Sequence, residues 1–370
     1  MVALSFAPVV LLDEHEGRGS AQLASWSATG CEAACKLWLR TGGEKMHAYD
    51  TAPVGKVWMP ALALCVALAW ALCTGCAVSP TGDSAGSEGP GSARPEDNAS
   101  LMLPANTYDP AGSVEVDGRQ GVCCEGDHYW VSGSTTLTKY DRDWNVVAQN
   151  TKPFDGYEVE VNHIGDIDVW QNELYVSAEY FMDGVGKNIQ IAVYDGDTLQ
   201  LKRTFPFEPA SGQLECSGIA VDPEAQAVWM CSWVGEESGR YLYRYNLGTG
   251  AYEGRVHLQM PPQWLQGVAC YDGCLYMTAD DGTADDGEPD HLYRAEVKPG
   301  ATSCTVTLER TFDDVTRQGE IEGLTFDKST GRLLLLYNRG ARIVLGMPKG
   351  FYEGYDREIS EVFSFDVAKR

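Results

Sequence analysis

From Gln120 to the C-terminus one pattern recurs about every fifty residues. Its copies open at Gln120-Gly121-Val122, Gly165-Asp166-Ile167, Ser217-Gly218-Ile219, Gln266-Gly267-Val268 and Glu322-Gly323-Leu324, so successive copies start 45, 52, 49 and 56 residues apart. Each opening is followed by a tight turn and a second apolar run: Tyr129–Ser132, Leu174–Ser177, Val228–Cys231, Leu275–Thr278 and Leu333–Leu336. A third run alternates polar and apolar residues, as in Leu137–Asp141, Ile191–Asp195, Leu242–Asn246, Leu292–Glu296 and Val362–Asp366. Aromatic and β-branched residues at period two suit a pleated, half-buried surface. Repeats of this length built from short strands are expected to form an all-β, five-bladed β-propeller.

The fifth copy runs out of chain after its third strand. The missing strand is expected from the other end, at Ser113–Val116, which closes the ring and leaves no large exposed edge. This places the blades between about Ser113 and Asp366 within a domain of residues 113–370. A six-bladed ring is the alternative, because the long stretch after Asn338 has room for extra strands.

The segment before the repeats is of a different kind. Val57–Leu72 is uncharged and apolar, follows Lys56, and leads into Leu72-Cys73-Thr74-Gly75-Cys76. A basic start, an apolar core and small residues before a cysteine form a signal segment over residues 46–76. A signal-anchor helix is the competing reading, since the uncharged run continues through Val78. Residues 1–45 show no sustained periodicity and read as an over-extended gene start, with Met46 and Met59 as alternative starts. Residues 77–112 are rich in Ser, Gly, Pro, Asp and Glu, a composition that cannot bury a core and reads as a disordered linker.

Acids exceed bases by 25 over the chain, and from Ala77 onward 47 acids face 23 lysines plus arginines. Such a surface disfavours nucleic acid and anionic headgroups and favours solubility or cation binding. A monomer is expected. Export permits disulfides, and Cys216 and Cys231 fall on adjacent strands of one expected hairpin, roughly opposite each other. Cys270 and Cys274 flank a turn, and neither pair has metal-ligand spacing.

Propeller geometry puts the lead-in to each first strand at one mouth of the ring. The residue before the strand glycine is Gln120, Gly165, Ser217, Gln266 and Glu322 in turn, and Asp166 replaces the glycine in the second copy. Two places earlier stand Gly118, His163, Glu215, Trp264 and Glu320. Gln120, His163, Asp166, Glu215, Ser217, Trp264, Gln266, Glu320 and Glu322 are therefore the candidate ligand-binding residues. Asp166, Glu215, Glu320 and Glu322 are the candidate metal ligands, and calcium is the cofactor such oxygens suit. The same face is expected to carry the long loops Ala178–Asn188, Ser232–Arg240, Ala279–Asp290 and Asn338–Ser360. Asp280, Asp281, Asp285, Asp286, Glu288 and Asp290 resemble a calcium loop in composition but not in spacing. Trp233, Trp264, Tyr180 and Phe181 form a candidate aromatic wall for a sugar or flat ligand. The chain lacks the Gly-x-Ser-x-Gly and His-Glu-x-x-His motifs and any Gly-rich phosphate loop.

The repeats and the Leu72–Cys76 signal resemble those of bacterial β-propeller lipoproteins. That resemblance implies a lipidated Cys76, export to the cell envelope and a membrane anchor. Glu322-Gly323-Leu324 resembles the acidic-Gly-Ile strand opening of calcium-activated nucleotidase propellers. The channel-calcium lactonase and arylesterase propellers are similar in having a histidine near the metal, the position of His163 here. Two function classes follow. One is an anchored module binding a small molecule, glycan or protein at the long-loop face. The other is a calcium-dependent hydrolase with the metal at the channel mouth.

Overall fold

The computed structural model describes residues 103–234, 237–315 and 319–370, and the signal segment, Cys76 and most of the linker lie outside them. The described residues are all-β apart from two short 3-10 turns, Pro209–Ser211 and Ser238–Arg240. Strand β1 (Asn106–Glu115) comes first. Then follow β2 (Gly121–Glu125), β3 (His128–Gly133), β4 (Thr136–Asp141) and β5 (Val146–Asn150), which form a four-stranded antiparallel meander. A second meander contains β6 (His163–Trp170), β7 (Glu173–Met182), β8 (Val185–Asp195) and β9 (Leu201–Pro206).

The next eight strands form one sheet. They are β10 (Ile219–Asp222), β11 (Ala227–Met230), β12 (Tyr241–Asn246), β13 (Tyr252–Gln259), β14 (Leu265–Tyr271), β15 (Cys274–Ala279), β16 (His291–Ala295) and β17 (Ser303–Thr311). Two antiparallel runs of four meet where β13 and β17 pair in parallel, from His257↔Ser303 to Gln259↔Thr305. The last region holds β18 (Ile321–Asp327), β19 (Arg332–Arg339), the separate hairpin β20 (Ala341–Val344) and β21 (Met347–Phe351), and β22 (Ile359–Lys369). The stretch after Asn338 thus holds a two-stranded hairpin.

Strand β1 completes the last sheet, whose order is β1-β22-β19-β18. It pairs with β22 from Asn106↔Lys369 to Glu115↔Glu361, and Val116 N–H extends the ladder to Ser360 O at 2.9 Å. The strand begins seven residues before Ser113, inside the stretch whose composition reads as linker. Pro110 and Gly112 flank a register shift, the place where a strand tolerates a residue without an N–H. Buried Glu309 holds its start. That carboxylate accepts from Ala105 N (3.1 Å), Asn106 N (2.9 Å), Asn106 Nδ2 (3.2 Å) and Tyr108 OH (3.1 Å), and pairs with Arg294 Nε at 3.1 Å.

The cores lie between sheets. Trp229 and Leu242 of one run pack with Val268 and Met277 of the next. Tyr276 and Leu292 pack with Phe326 and Leu335. Val122 and Val131 meet Leu336 and Val362, while Cys123 and Trp130 meet Ile167 and Val176, and Tyr175 and Val193 meet Ile219 and Met230. Each sheet therefore buries both faces against its neighbours, the layout of a propeller-type fold.

Glu309→Ala removes the clamp on the first strand and leaves Arg294 unpaired. A loss of about 3–5 kcal/mol is expected, read as a lowered urea midpoint, with earlier proteolysis at the N-terminal side of β1.

Candidate functional site

The innermost strands β2, β6, β10, β14 and β18 approach one another closely where the repeat glycine stands. Gly323 N–H donates to Gln120 O at 2.8 Å, and Asp166 N–H to Ser217 O at 2.7 Å. A methyl group on Gly121 or Gly323 would overlap Asp166 Oδ1. Only a residue without Cβ fits at those two positions. Asp166 is the exception in the glycine column, and its side chain fills the space the glycines leave. Its Oδ1 accepts Ile167 N–H at 2.8 Å and its Oδ2 accepts Val268 N–H at 3.2 Å. Burial pushes its carboxyl well above the usual range, against the pull of those N–H groups.

Above this level a cavity of about 40 Å³ opens, lined by Arg119, Gln120, His163, Phe181, Glu215, Ser217, Trp233, Gln266, Glu320, Glu322 and Gly346. Seven of the nine candidate residues read from the sequence border it. Trp264 stands behind Trp233, with ring centroids 5.1 Å apart, and Asp166 lies beneath as the axial plug. The volume exceeds the ~10–15 Å³ that one water needs and falls far short of the ~300 Å³ of a drug-sized pocket.

Arg119 is a cavity residue the sequence columns did not single out. It pairs with Glu320 at 2.7 Å, Glu358 at 3.0 Å and Glu322 at 3.6 Å. Burial works against its charge, but Glu322, Glu320 and Glu358 outweigh it and hold the guanidinium pKa above its ordinary value. Its column carried a signal. The equivalent residues of the other copies are Ile164, Cys216, Leu265 and Ile321, all fully buried, so Arg119 is the polar break in an apolar column. Glu322 also accepts from Asn338 Nδ2 at 2.8 Å. Burial raises both Glu320 and Glu322 despite Arg119.

A second acidic group lies on the other side. Glu215 accepts Trp233 N–H, and its carboxyl is pushed up to about 7 by burial. Beside it Glu179, unmarked by the repeat, is wholly buried with neither oxygen hydrogen-bonded. Burial and then the Glu215 charge hold it well above the usual carboxylate range. His163 Nδ1 stands 3.9 Å from Glu179 Oε1, too far for a hydrogen bond. Burial, then Arg119, lowers the His163 pKa to about 4, so the ring is neutral near pH 7.

Aromatic side chains form the rim. Phe181 meets Trp233 edge-on with centroids 6.3 Å apart, and His163 lies 5.4 Å from Phe181. Tyr180 instead lies under Lys187 Nζ, 4.2 Å from its centroid. Strands β7 and β8 run on through the expected Ala178–Asn188 loop, pairing out to Met182↔Val185. The β20–β21 hairpin reaches this same tip: Leu345 packs against Gly184, and Gly346 against the Phe181 ring. From these two hairpins Phe181 and Gly346 contribute to the cavity wall.

The acidic loop of the fourth copy is engaged elsewhere. Asp281 accepts from Tyr293 OH at 2.5 Å and contacts His291 Nδ1 at 2.7 Å, Asp285 pairs with Arg342 at 2.6 Å, and Asp290 accepts Gly282 N–H at 3.1 Å. Among the described residues no group of three or more His, Cys, Asp or Glu side chains is arranged to hold a metal ion. The seven described cysteines are free thiols. Cys231 opposes Gly218 rather than Cys216, and the two cysteines pack into different cores.

Fold and cavity together define an all-β protein of propeller type. No family model matches the chain, nor does any curated protein sequence. Among solved structures it is similar to the PQQ-bound aldose sugar dehydrogenase of Streptomyces coelicolor, at 12% identity and TM-score 0.41 over 72% of this chain and 100% of that one. Hydrazine synthase of Kuenenia stuttgartiensis is similar at 11% identity and TM-score 0.37, over 69% and 67% of the two chains. U3-55K is similar at 11% identity and TM-score 0.40, over 70% and 99%.

The opposed shifts of Glu215 and His163 give a pH signature. Between about 4.5 and 7 the folded chain keeps a proton on Glu215 that the unfolded chain has released. That stabilisation is complete below about 4.5 and is lost as pH rises through 7. His163 acts oppositely, costing stability as pH falls from 6.5 towards 4. Glu215→Gln mimics the protonated acid. Relative to the parent it is expected to gain on the order of 3 kcal/mol between pH 5 and pH 8, measured by urea unfolding. An unchanged difference at the two pH values would remove Glu215 as the titrating group.

Proposed function

We propose that this chain is a five-bladed propeller that binds a ligand at the face bearing the Arg119–Glu322 cavity. The count takes the eight-stranded sheet as two blades joined through β13 and β17. Five inter-sheet cores support it. The observation that carries the binding reading is the meeting of Gln120, His163, Glu215, Ser217, Gln266, Glu320 and Glu322 around one cavity under an aromatic rim. Acceptors dominate the cavity, and its size admits only the tip of a ligand. The ligand therefore inserts a donor-rich group, such as sugar hydroxyls or an ammonium, and lays its body on Trp233 and Trp264.

The calcium-dependent hydrolase has less support. Arg119 already supplies a positive charge to Glu320 and Glu322, and the described side chains offer no metal-holding set. No catalytic step is assigned.

Calorimetry on the full chain with a panel of glycans and amines, and with calcium as a separate arm, tests the reading. A ligand from the panel is expected to bind, and Trp233→Ala to weaken it roughly tenfold or more. Binding that neither Trp233→Ala nor Glu322→Gln alters would overturn the placement. Calcium binding strengthened by Arg119→Ala, with no organic ligand bound, would favour the metal reading.

We further propose export and membrane anchoring through a lipidated Cys76, supported by the apolar run and the small residues Thr74 and Gly75. Cys76→Ser is expected to shift the protein out of the membrane fraction or block its processing, as read by fractionation and immunoblot. Unchanged retention, with Val57–Leu72 still present in the mature protein, would support a signal anchor instead.

A further inference from the structure

The tips of two hairpins meet beside the axial cavity, where Leu345 of the β20–β21 turn packs against Gly184 of the β7–β8 turn. Large apolar side chains on both tips face water. Met182 and Val185 stand on one, Val344 and Leu345 on the other, and Leu214 lies beside Gly186. Val185, Leu214 and Leu345 are each more than half exposed. These are five of the twelve exposed large apolar side chains among the described residues. Single exposed apolar residues need no explanation, but a cluster on touching elements marks an interaction surface. The patch reaches the cavity wall, because Met182 follows Phe181 and Leu345 precedes Gly346, and both Phe181 and Gly346 line the cavity.

The same hairpins leave backbone edges open. Strands β20 and β21 pair only with each other. Strand β9 stops at Gln190↔Pro206, so the tip of β8 from Val185 to Lys187 has β7 on one side and no strand on the other. An extended chain laid here finds apolar contact and main-chain partners together, as in strand addition to a sheet edge.

The cavity fixes what such a chain must carry. Its volume of about 40 Å³ admits the end of one straight side chain. The Gln120 and Gln266 side-chain amides on its wall make no hydrogen bond among the described residues. Glu215 forms no ion pair there, and Glu322 lies 3.6 Å from Arg119, whose closer partners are Glu320 and Glu358. Two carboxyls on the wall thus lack a close counter-charge. A primary ammonium brings three donors and one positive charge, and lysine carries it on a slender apolar stem.

We infer, resting on the binding reading of the axial cavity, that this face docks an extended segment of a partner polypeptide. The segment lays apolar side chains on the Val185–Leu345 patch and inserts one lysine into the cavity. A lipid surface is the less suited occupant, since 47 acids face 23 lysines plus arginines from Ala77 onward and anionic headgroups repel such a chain.

The test is selection on the immobilised full chain from capped heptapeptides whose central residue is lysine, norleucine or glutamate and whose other positions are randomised. Retained peptides are identified by mass spectrometry, and the strongest is measured by calorimetry. The lysine pool is expected to be retained, with apolar residues two places to either side. Leu345→Asp on the surface and Glu215→Gln in the cavity are each expected to weaken the selected peptide by roughly tenfold, and norleucine in place of its lysine by as much. Absence of a lysine preference, or an affinity indifferent to Leu345→Asp, would overturn the inference. So would Leu345-dependent binding to phosphatidylcholine vesicles with no peptide retained. If amines or glycans still bind and depend on Trp233 in any of these cases, the cavity reading stands and only the docking inference falls. A selected peptide that responds to Leu345→Asp but to neither Glu215→Gln nor Glu322→Gln would remove both.

Discussion

Everything at the axial-cavity end of this molecule depends on how closely the innermost strands approach one another. Backbone meets backbone there, with Gly323 N–H on Gln120 O and Asp166 N–H on Ser217 O. Four glycines permit the approach, and one aspartate fills what they leave. A packed axis makes the fold a floor rather than a pore. The cavity above is therefore shallow, and its chemistry is set by the few side chains on the lead-in segments. Three carboxyl groups, Glu179, Glu215 and Glu322, are held out of water at or beside it, the half-buried Glu320 joins them, and Arg119 is the principal cation. Such a concentration of buried acid is costly unless protons, a guanidinium or a ligand offset it; Arg119 is the guanidinium present, and burial favours the protonated form of Glu179, Glu215 and Glu322.

The repeat made much of this readable. The glycine spacing placed the five inner strands, and the alternation of Tyr, Val and Leu placed their neighbours, because burial on both faces leaves little choice of register. The lead-in columns named most residues of the cavity wall for the same reason: rotation carries equivalent positions to one mouth. Breaks in the repeat were harder to read. Arg119 sits in a column otherwise filled by Ile164, Cys216, Leu265 and Ile321, and its polarity was the clue. Glu179 gave none, since it lies on β7 just past the shared apolar run. Strand β1 was read short because Asn106–Gly112 has the composition of a linker. Its order comes from Glu309, about two hundred residues away, and no local pattern encodes such a partner. The β20–β21 hairpin likewise gains its place from Phe181 and Gly184, which belong to another sheet.

Besides the axial cavity, a larger one of about 230 Å³ lies at the opposite end of the strands. The axial one is rich in acceptors and flanked by the two hairpins, and its half-buried histidine is neutral near pH 7. The one at the far end mixes apolar side chains such as Leu275 and Val297 with Arg244, Lys298 and Asp222. The two ends of the strands thus carry different side-chain chemistries. This is possible because propeller-type sheets present strand ends, not strand faces, to solvent, and each end is furnished by a separate set of loops.

Asp166 also bears on how such a chain could change in length. The plug is covalently part of a single repeat, and the space it occupies admits one carboxylate. A chain that grew by copying its second unit would carry two acids to the same axis. They would meet in a space without water, where two like charges a few ångströms apart cannot both stay ionised. A chain that lost that unit would leave Val268 N–H without its carboxylate acceptor. The other units tolerate each other's substitution at this level, because glycine is common to them all. The one irregular residue thus makes the second unit neither duplicable nor dispensable, and the ring keeps a fixed starting point despite its near-symmetry.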